Sequence, residues 1–279
     1  KKWNEQYLAD QLLDTPVKVH VSKEPFLNFI NKNFKYDTLS FDDFLKQCLK
    51  GHEFLYLRSI GNDKRGKEVA NIGKQFPSIK DDISLPDFGN FCLNENCDGK
   101  LCDKRHLFSS VFRISSKDLV MWTHYDIVDN ILLQIKGRKK IYLFPPTDAE
   151  HLYLNGDKSE ILNLEDPNIL SRYPLYCNAT LYECTLESGD ALFIPSLWFH
   201  NTKALEFSIG VNFFWKDTDL IEFYDKADVY GNKDLMPAVN AYANISKAIK
   251  HLESLPNKFK TFYIHMIIAK LNRELIKLK

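Results

Sequence analysis

The sequence predicts a mainly β fold with flanking helices, and three observations carry that expectation. Between Leu107 and Lys216, short runs rich in β-branched and aromatic residues alternate with turn signals. Beyond Asp234 the apolar residues fall into helical spacing. Ahead of residue 107 the chain mixes the two patterns. The expected organisation is an N-terminal α/β portion (1–106) with a loop insertion at about 89–106, a β core (107–216) and a C-terminal helical segment (217–279).

In the N-terminal portion, Lys18–Val21 and Glu53–Arg58 read as strands. Ser40 is expected to cap a helix starting at Phe41, because its hydroxyl can accept one of the unpaired N–H groups of the first turn. The stretch from Gly61 to about Arg105 is polar and punctuated, which predicts loops with one helix near Val69–Gln75. In the core the strand candidates are Ser109–Ser115, Asn130–Ile135, Lys140–Phe144, Tyr182–Thr185, Ala191–Ile194 and Phe207–Trp215. Lys136-Gly137, Pro145-Pro146, Asn155-Gly156 and Ser188-Gly189-Asp190 mark turns between them. Short strands in series point to an antiparallel barrel or sandwich. In the last segment Val239, Tyr242, Ile245, Ile249 and Leu252 repeat helically until Leu255-Pro256-Asn257 breaks the run. A second helix then carries Phe259, Phe262, Tyr263, Met266, Ile267, Leu271 and Leu275. Such stripes need a covering surface, either the flank of the β core or a second copy of the chain.

The 279 residues carry 37 basic and 37 acidic side chains. Zero net charge argues against a surface coated in basic residues but leaves room for a local basic patch. Hydrophobic residues make up 44%, and 20 Phe with 13 Tyr supply ample mass for a core. No run of about 18 apolar residues occurs, so no membrane-spanning helix is expected. The first residue is Lys1 rather than Met, so a targeting signal is not readable from this end.

Cys92, Cys97 and Cys102 recur every five residues ahead of His106. One reading is a zinc site completed by His106; the other is reduced thiols on a surface loop. The spacing favours the second, because zinc ligands come as closely spaced pairs such as C-x2-C. Cys48, Cys177 and Cys184 form no disulfide framework. That usage suits a reducing, intracellular compartment, cytoplasmic or nuclear.

Chemistry concentrates at Thr123-His124-Tyr125-Asp126 and at His200. On a strand, residues two apart share a face, so His124 and Asp126 are expected to converge, with Asn130 on the same side if the strand runs on. His200 follows the buried run Ala191–Ile194 and a short bend, which can deliver one imidazole from a neighbouring strand. Two imidazoles and one carboxylate on one face of an iron ion leave three positions open. Spacing alone leaves the alternative of histidines satisfied in a core or a turn. His251-Leu252-Glu253 has similar letters, yet residues two apart on a helix diverge by about 200°, so it is set aside.

The run His124-Tyr125-Asp126, Asn130, Gln134-Ile135-Lys136-Gly137-Arg138-Lys139-Lys140 and Leu143-Phe144-Pro145-Pro146 resembles the JmjC-type cupin dioxygenases. Gly189-Asp190-x-Leu192-Phe193-Ile194-Pro195-x-x-Trp198-x-His200 and Val211-Asn212-Phe213 continue that resemblance in order. It implies a double-stranded β-helix, the jelly-roll or cupin arrangement, with Fe(II) as cofactor and 2-oxoglutarate and O2 as co-substrates. His124, Asp126 and His200 match the metal ligands, and Lys139 matches the lysine that pairs with the distal carboxylate of 2-oxoglutarate. Tyr56, Asn130 and Asn212 match polar contacts to the same molecule. Of the cations Lys136, Arg138, Lys139 and Lys140, strand parity with Ile141 and Leu143 turns Lys139 inward, across an expected tight hairpin from Asn130. Met121 stands where many such hydroxylases carry Thr, which loses one contact and gives Tyr56 more weight.

A resemblance running nearly end to end is to the tRNA wybutosine-synthesising hydroxylases. It rests on Tyr56–Gly61, Lys74–Pro77, Phe112–Ser116, Trp122–Asp126, Leu197–Asn201 and Tyr224–Asp234, the last belonging to no general JmjC pattern. It implies hydroxylation of the side chain of a wybutosine precursor at position 37 of phenylalanine tRNA, with the anticodon loop as partner and a homodimer through the C-terminal helices. Basic groups at Lys64/Arg65/Lys67, Lys74/Lys80, Lys100/Lys104/Arg105 and Lys136/Arg138/Lys140 suit RNA or are ordinary surface residues. Gln134–Pro146 also resembles the asparaginyl hydroxylase of the hypoxia factor, so a protein hydroxylase is the alternative. A third possibility is a cupin-like binding module with a dead site, against which the complete triad argues.

Overall fold

Apolar runs build most of the core strands, while the N-terminal strand Pro16–Ser22 alternates apolar with polar residues along Val17, Val19 and Val21. The structure, a computed structural model, describes residues 2–63, 67–83, 91–92 and 105–278. The N-terminal part contributes β1 (Pro16–Ser22), β2 (Phe34–Ser40), β3 (Phe54–Arg58) and the short β4 (Phe91–Cys92). The core contributes β5 (Arg105–Ser115), β6 (Val120–His124), β7 (Asp129–Lys136), β8 (Lys139–Phe144), β9 (Leu154–Asn155), β10 (Lys158–Ser159), β11 (Tyr182–Leu186), β12 (Ala191–Ile194), β13 (Phe199–Ala204) and β14 (Ser208–Lys216). The helices are α1 (Glu5–Leu12), α2 (Phe41–Lys50), α3 (Ile72–Gln75), α4 (Ile169–Arg172), α5 (Met236–Leu252) and α6 (Asn257–Lys277).

The chain divides into two compact units, Lys1–Glu222 with Lys226–Lys233, and Asp234–Lys279 with Phe223–Asp225. In the first unit the strands form two sheets. One runs β12-β7-β14-β5-β3-β1-β2, with β4 beside β5; the other runs β11-β8-β13-β6-β10-β9. From β5 to β8, and again from β11 to β14, consecutive strands alternate between the two sheets. That shuttling makes a double-stranded β-helix, a cupin-like arrangement with flanking helices and a C-terminal helical segment.

Parity sorts the larger sheet into two faces. Val17, Val19, Val21, Leu55, Leu57, Phe112, Ile114, Ile131, Ile209, Val211, Phe213 and Trp215 join one apolar cluster with Leu8, Phe41 and Phe44 of α1 and α2. The alternate residues therefore turn to the other face, and they are unusually polar for a barrel lining. They include Lys18, His20, Tyr56, Arg58, Arg113, Asn130, Gln134 and Asn212. Opposite them Ile141 and Leu186 pack on Leu132. Tyr142 and Phe144 belong to a separate cluster with Leu152 and Phe199. The same rule puts Lys139 on the Ile141 side, where it is buried, whereas Lys140 pairs outside with Glu165 and Glu183.

Ser40 accepts a hydrogen bond from the Asp43 amide and caps α2, and Gly51 ends it in a left-handed turn, φ 71°. The helix expected over Val69–Gln75 is only the short α3. The expected hairpin between Asn130 and Lys139 does not form. Strand β7 pairs with β12 and β14, and β8 pairs with β11 and β13, so Lys136–Lys139 is a crossing between sheets. Gly137 allows that crossing. Its φ is +72°, and a Cβ there would collide with the Phe207 carbonyl oxygen.

In the second unit α5 and α6 follow the expected helical spacing. Leu235 and Pro237 open α5, and Pro256 opens α6. Neither helix contains a buried residue. No helix among the described residues is long and apolar enough to cross a membrane.

Candidate metal centre and its cavity

His124 ends β6, and its cross-strand partner on β13 is His200. Their ring centroids lie 4.3 Å apart. His124 Nδ1 donates to the Trp122 carbonyl at 2.9 Å, and His200 Nδ1 donates to the Trp198 carbonyl at 3.1 Å. A carbonyl only accepts, so in each ring Nδ1 carries the hydrogen and Nε2 keeps its lone pair. A backbone acceptor on Nδ1 fixes the ring and turns Nε2 toward a metal position. Burial, then the neighbouring His200, pushes the His124 pKa well below the ordinary histidine value, which keeps the ring a neutral donor.

Asp126 completes the group, but not by strand parity. Strand β6 stops at His124, and Asp126 lies in the connection to β7. That connection crosses to the other sheet, so Asn130 is not on the histidine's strand either. The Leu197 amide donates to the Asp126 carbonyl oxygen at 2.8 Å, and the Ser196 amide donates to Asp129 Oδ1 at 2.9 Å. The bend before His200 thereby grips the loop that carries Asp126. Leu197 adopts a left-handed conformation there, φ 68°, which is uncommon for a branched residue and marks a tightly determined turn. Asp126 Oδ2 is 3.6 Å from His200 Nε2. One donor atom from each of the three residues lies within 4.8 Å of the others, the only such group of His, Cys, Asp or Glu among the described residues. Two imidazoles and a carboxylate suit a divalent transition metal with open positions.

His124 and Asp126 open onto a cavity of about 360 Å³, also lined by Tyr56, Arg58, Arg113, Met121, Trp122 and Lys158, with Phe29, Tyr36 and Tyr230 among its aromatics. Tyr56 is buried and its hydroxyl oxygen accepts from Arg113. Asn212 Nδ2 donates to Asn130 Oδ1 at 2.9 Å, deep between the sheets, while Asn212 Oδ1 has no partner. Lys139 is buried without an acidic partner among the described residues, and burial plus the charge of Arg113 pushes its pKa down to about 7. A desolvated ammonium in that state is prepared for an anion. The three polar candidates and Lys139 thus share the barrel interior, on both sheets.

Other expectations meet different outcomes. Lys136, Arg138 and Lys140 pair with Glu5, Glu206 and Glu165, so that cluster is compensated by local acids. Lys64, Arg65, Cys97, Lys100, Cys102 and Lys104 lie outside the described residues. His251 sits on α5, where it meets no metal-binding group. Sequence reasoning missed Arg58, Arg113, His20 and Trp122 as cavity-lining residues. A signal was present in Leu57-Arg58 and Phe112-Arg113-Ile114. An arginine alternating with core-facing apolar residues on a barrel strand must face the interior.

Residues 1–220 match the family model of the cupin-like domain. "tRNA wybutosine-synthesizing protein 5" of Danio rerio is 44% identical over 280 residues, 97% of this chain and 81% of that protein. Its namesake in Homo sapiens is 45% identical over 276 residues, 96% of this chain and 82% of that protein. "tRNA wybutosine-synthesizing protein 4" of Gibberella zeae is 34% identical over 280 residues, 98% of this chain but 26% of that longer protein.

Proposed function

Since the chain belongs to the cupin-like domain family, alongside these wybutosine-synthesizing relatives, we propose that it is an enzyme of tRNA modification, an Fe(II)- and 2-oxoglutarate-dependent hydroxylase. Its substrate is the side chain of the wybutosine precursor at position 37 of phenylalanine tRNA. The observation that carries the reading is the convergence of His124, Asp126 and His200 beside a cavity that His124 and Asp126 line, with Nδ1 of each ring committed to a backbone carbonyl.

The donor set fits Fe(II), and when bound the ion supplies, with 2-oxoglutarate and O2, the oxidising power for C–H hydroxylation. The chain's own residues do the positioning. Burial keeps His124 neutral, and the Nδ1 hydrogen bonds orient both rings and leave Nε2 as the donor atom. Asp126 brings one negative charge, which offsets half of the ion's charge. Lys139 offers its ammonium, and Tyr56 its hydroxyl, to the distal carboxylate of 2-oxoglutarate. Asn130 and Asn212 hold each other and present amide groups to the co-substrate. The aromatic mouth formed by Phe29, Trp122, Tyr36 and Tyr230 suits a splayed nucleobase, because stacking on aromatic faces is how single-stranded RNA is commonly held. A tRNA substrate places the reaction inside the cell. We further propose that α5 and α6 pair two copies into a homodimer, since Tyr242, Phe262, Met266 and Leu275 are exposed.

The decisive experiment is mass spectrometry of phenylalanine tRNA carrying the precursor, after incubation with protein, Fe(II) and 2-oxoglutarate. A gain of one oxygen on the modified base is expected. Binding of this tRNA should also fall steeply with salt, since phosphate contacts release counterions. A protein that binds no tRNA at low salt is not the enzyme proposed.

A further inference from the structure

Arg58 on β3 and Arg113 on β5 are direct cross-strand partners. Directly opposed residues on antiparallel strands share a face with Cβ atoms about 5 Å apart, where like charges repel. Both line the cavity that exposes His124 and Asp126. Arg113 donates to the Tyr56 hydroxyl oxygen, and Arg58 lies 4.6 Å from the centre of the Tyr230 ring. Those contacts aim the guanidiniums without neutralising them. Arg58 Nη1 and Arg113 Nε have no hydrogen-bond partner. Of the acids in the lining, Asp157 pairs with Lys158, and Asp126 stands with His200 in the triad while its single charge acts on both arginines, which leaves two cations to one shared carboxylate. Burial and the charge of Arg113 push even the Arg58 pKa down to about 10. Two opposed like charges, each with a buried donor to spare, form a costly arrangement that an anion would relieve.

We propose that Arg58 and Arg113 form a carboxylate-recognition subsite in the cavity wall, beside the metal triad. A guanidinium fork matches the two oxygens of a carboxylate, and two forks opposed across a strand pair can hold one carboxylate between them. Two molecules can carry that group into a cavity of this size: the co-substrate, or the side chain that is oxidised. In the second case the clamp sets which C–H bond faces the metal. The inference rests on the proposed reaction only for the identity of the carrier.

The test uses the full chain loaded with Mn(II), which binds without turnover, in wild-type, Arg58→Met and Arg113→Met forms. The first arm measures the dissociation constant of 2-oxoglutarate. The second titrates butyrate, and its uncharged isostere butyramide, against protein saturated with 2-oxoglutarate, following tryptophan fluorescence. The expected result is butyrate binding at least tenfold tighter than butyramide, a preference that both variants lose while 2-oxoglutarate affinity holds. That outcome assigns the subsite to the oxidised molecule. If the variants instead weaken 2-oxoglutarate at least tenfold and butyrate competes with it, the subsite stands with the co-substrate as carrier. Folding of the variants is checked by thermal melting, where removing one of two opposed cations should not lower the Tm. Folded variants with unchanged 2-oxoglutarate affinity, together with a wild type blind to the difference between butyrate and butyramide, would overturn the proposal. No RNA enters this test, so its failure is distinguishable from failure of the tRNA reading.

Discussion

Single atoms decide how the candidate centre behaves. Because each Nδ1 hydrogen is committed to a backbone carbonyl, His124 and His200 have only Nε2 to offer a metal. His124→Ala or Asp126→Ala should therefore abolish 2-oxoglutarate turnover while circular dichroism stays native. Unchanged succinate release in either variant would exclude the metal assignment. Lys139 makes a second prediction, and its sign follows from burial. Its pKa falls from 10.5 to about 7 in the folded protein. Between those values the unfolded chain binds more protons, so this group's contribution to stability rises with pH across that window and is least below about 7. Anion binding has the opposite trend, because it needs the ammonium. The dissociation constant of 2-oxoglutarate for Mn(II)-loaded protein should rise above pH 7, approaching about tenfold per unit. Lys139→Met should bind weakly with no such slope. A flat wild-type curve would remove Lys139 from the co-substrate site.

Elements deliver these side chains to places their sequence spacing does not reveal. The strands Asn130–Ile135, Lys140–Phe144 and Ala191–Ile194 were readable as apolar runs between turn signals, and parity with Ile141 and Leu143 chose Lys139 over Lys140 as the inward residue. Ser40 announced α2 because a cap is a local interaction. What could not be read was pairing. Chain neighbours β7 and β8 lie in different sheets, so the expected hairpin was wrong although both strands were nearly right. Asp126 was chosen for a strand it does not occupy; it reaches the site because a distant bend holds its backbone. The Arg58–Arg113 opposition depends on β3 meeting β5 across a long intervening stretch, and no local pattern reports that. Gly137 supplies the test at this scale. Gly137→Ala forces a left-handed residue against the Phe207 carbonyl, and should lower stability by roughly 2 kcal/mol or more. Chemical denaturation measures it; an unchanged midpoint would mean that the crossing tolerates a side chain.

For the whole molecule, assembly and folding carry the remaining predictions. If α5 and α6 pair two copies, an isologous contact uses the same apolar stripe twice. Phe262→Lys should then shift sedimentation from dimer to monomer, and a wild type that is monomeric at high micromolar concentration would end the dimer proposal. The opposition of His124 and His200 across β6 and β13 has a temporal consequence. Two ligands so distant along the chain meet only after the sheets have closed, and closing such long loops is slow. A metal ion therefore cannot template early folding; it acts as a latch thrown after the door has shut. Stopped-flow measurements should find that Mn(II) slows unfolding and leaves the refolding rate unchanged. If the proposed iron is the ion, chains folded without it would be correctly folded yet open more often, and supply of the ion would govern how long each molecule lasts as well as whether it works.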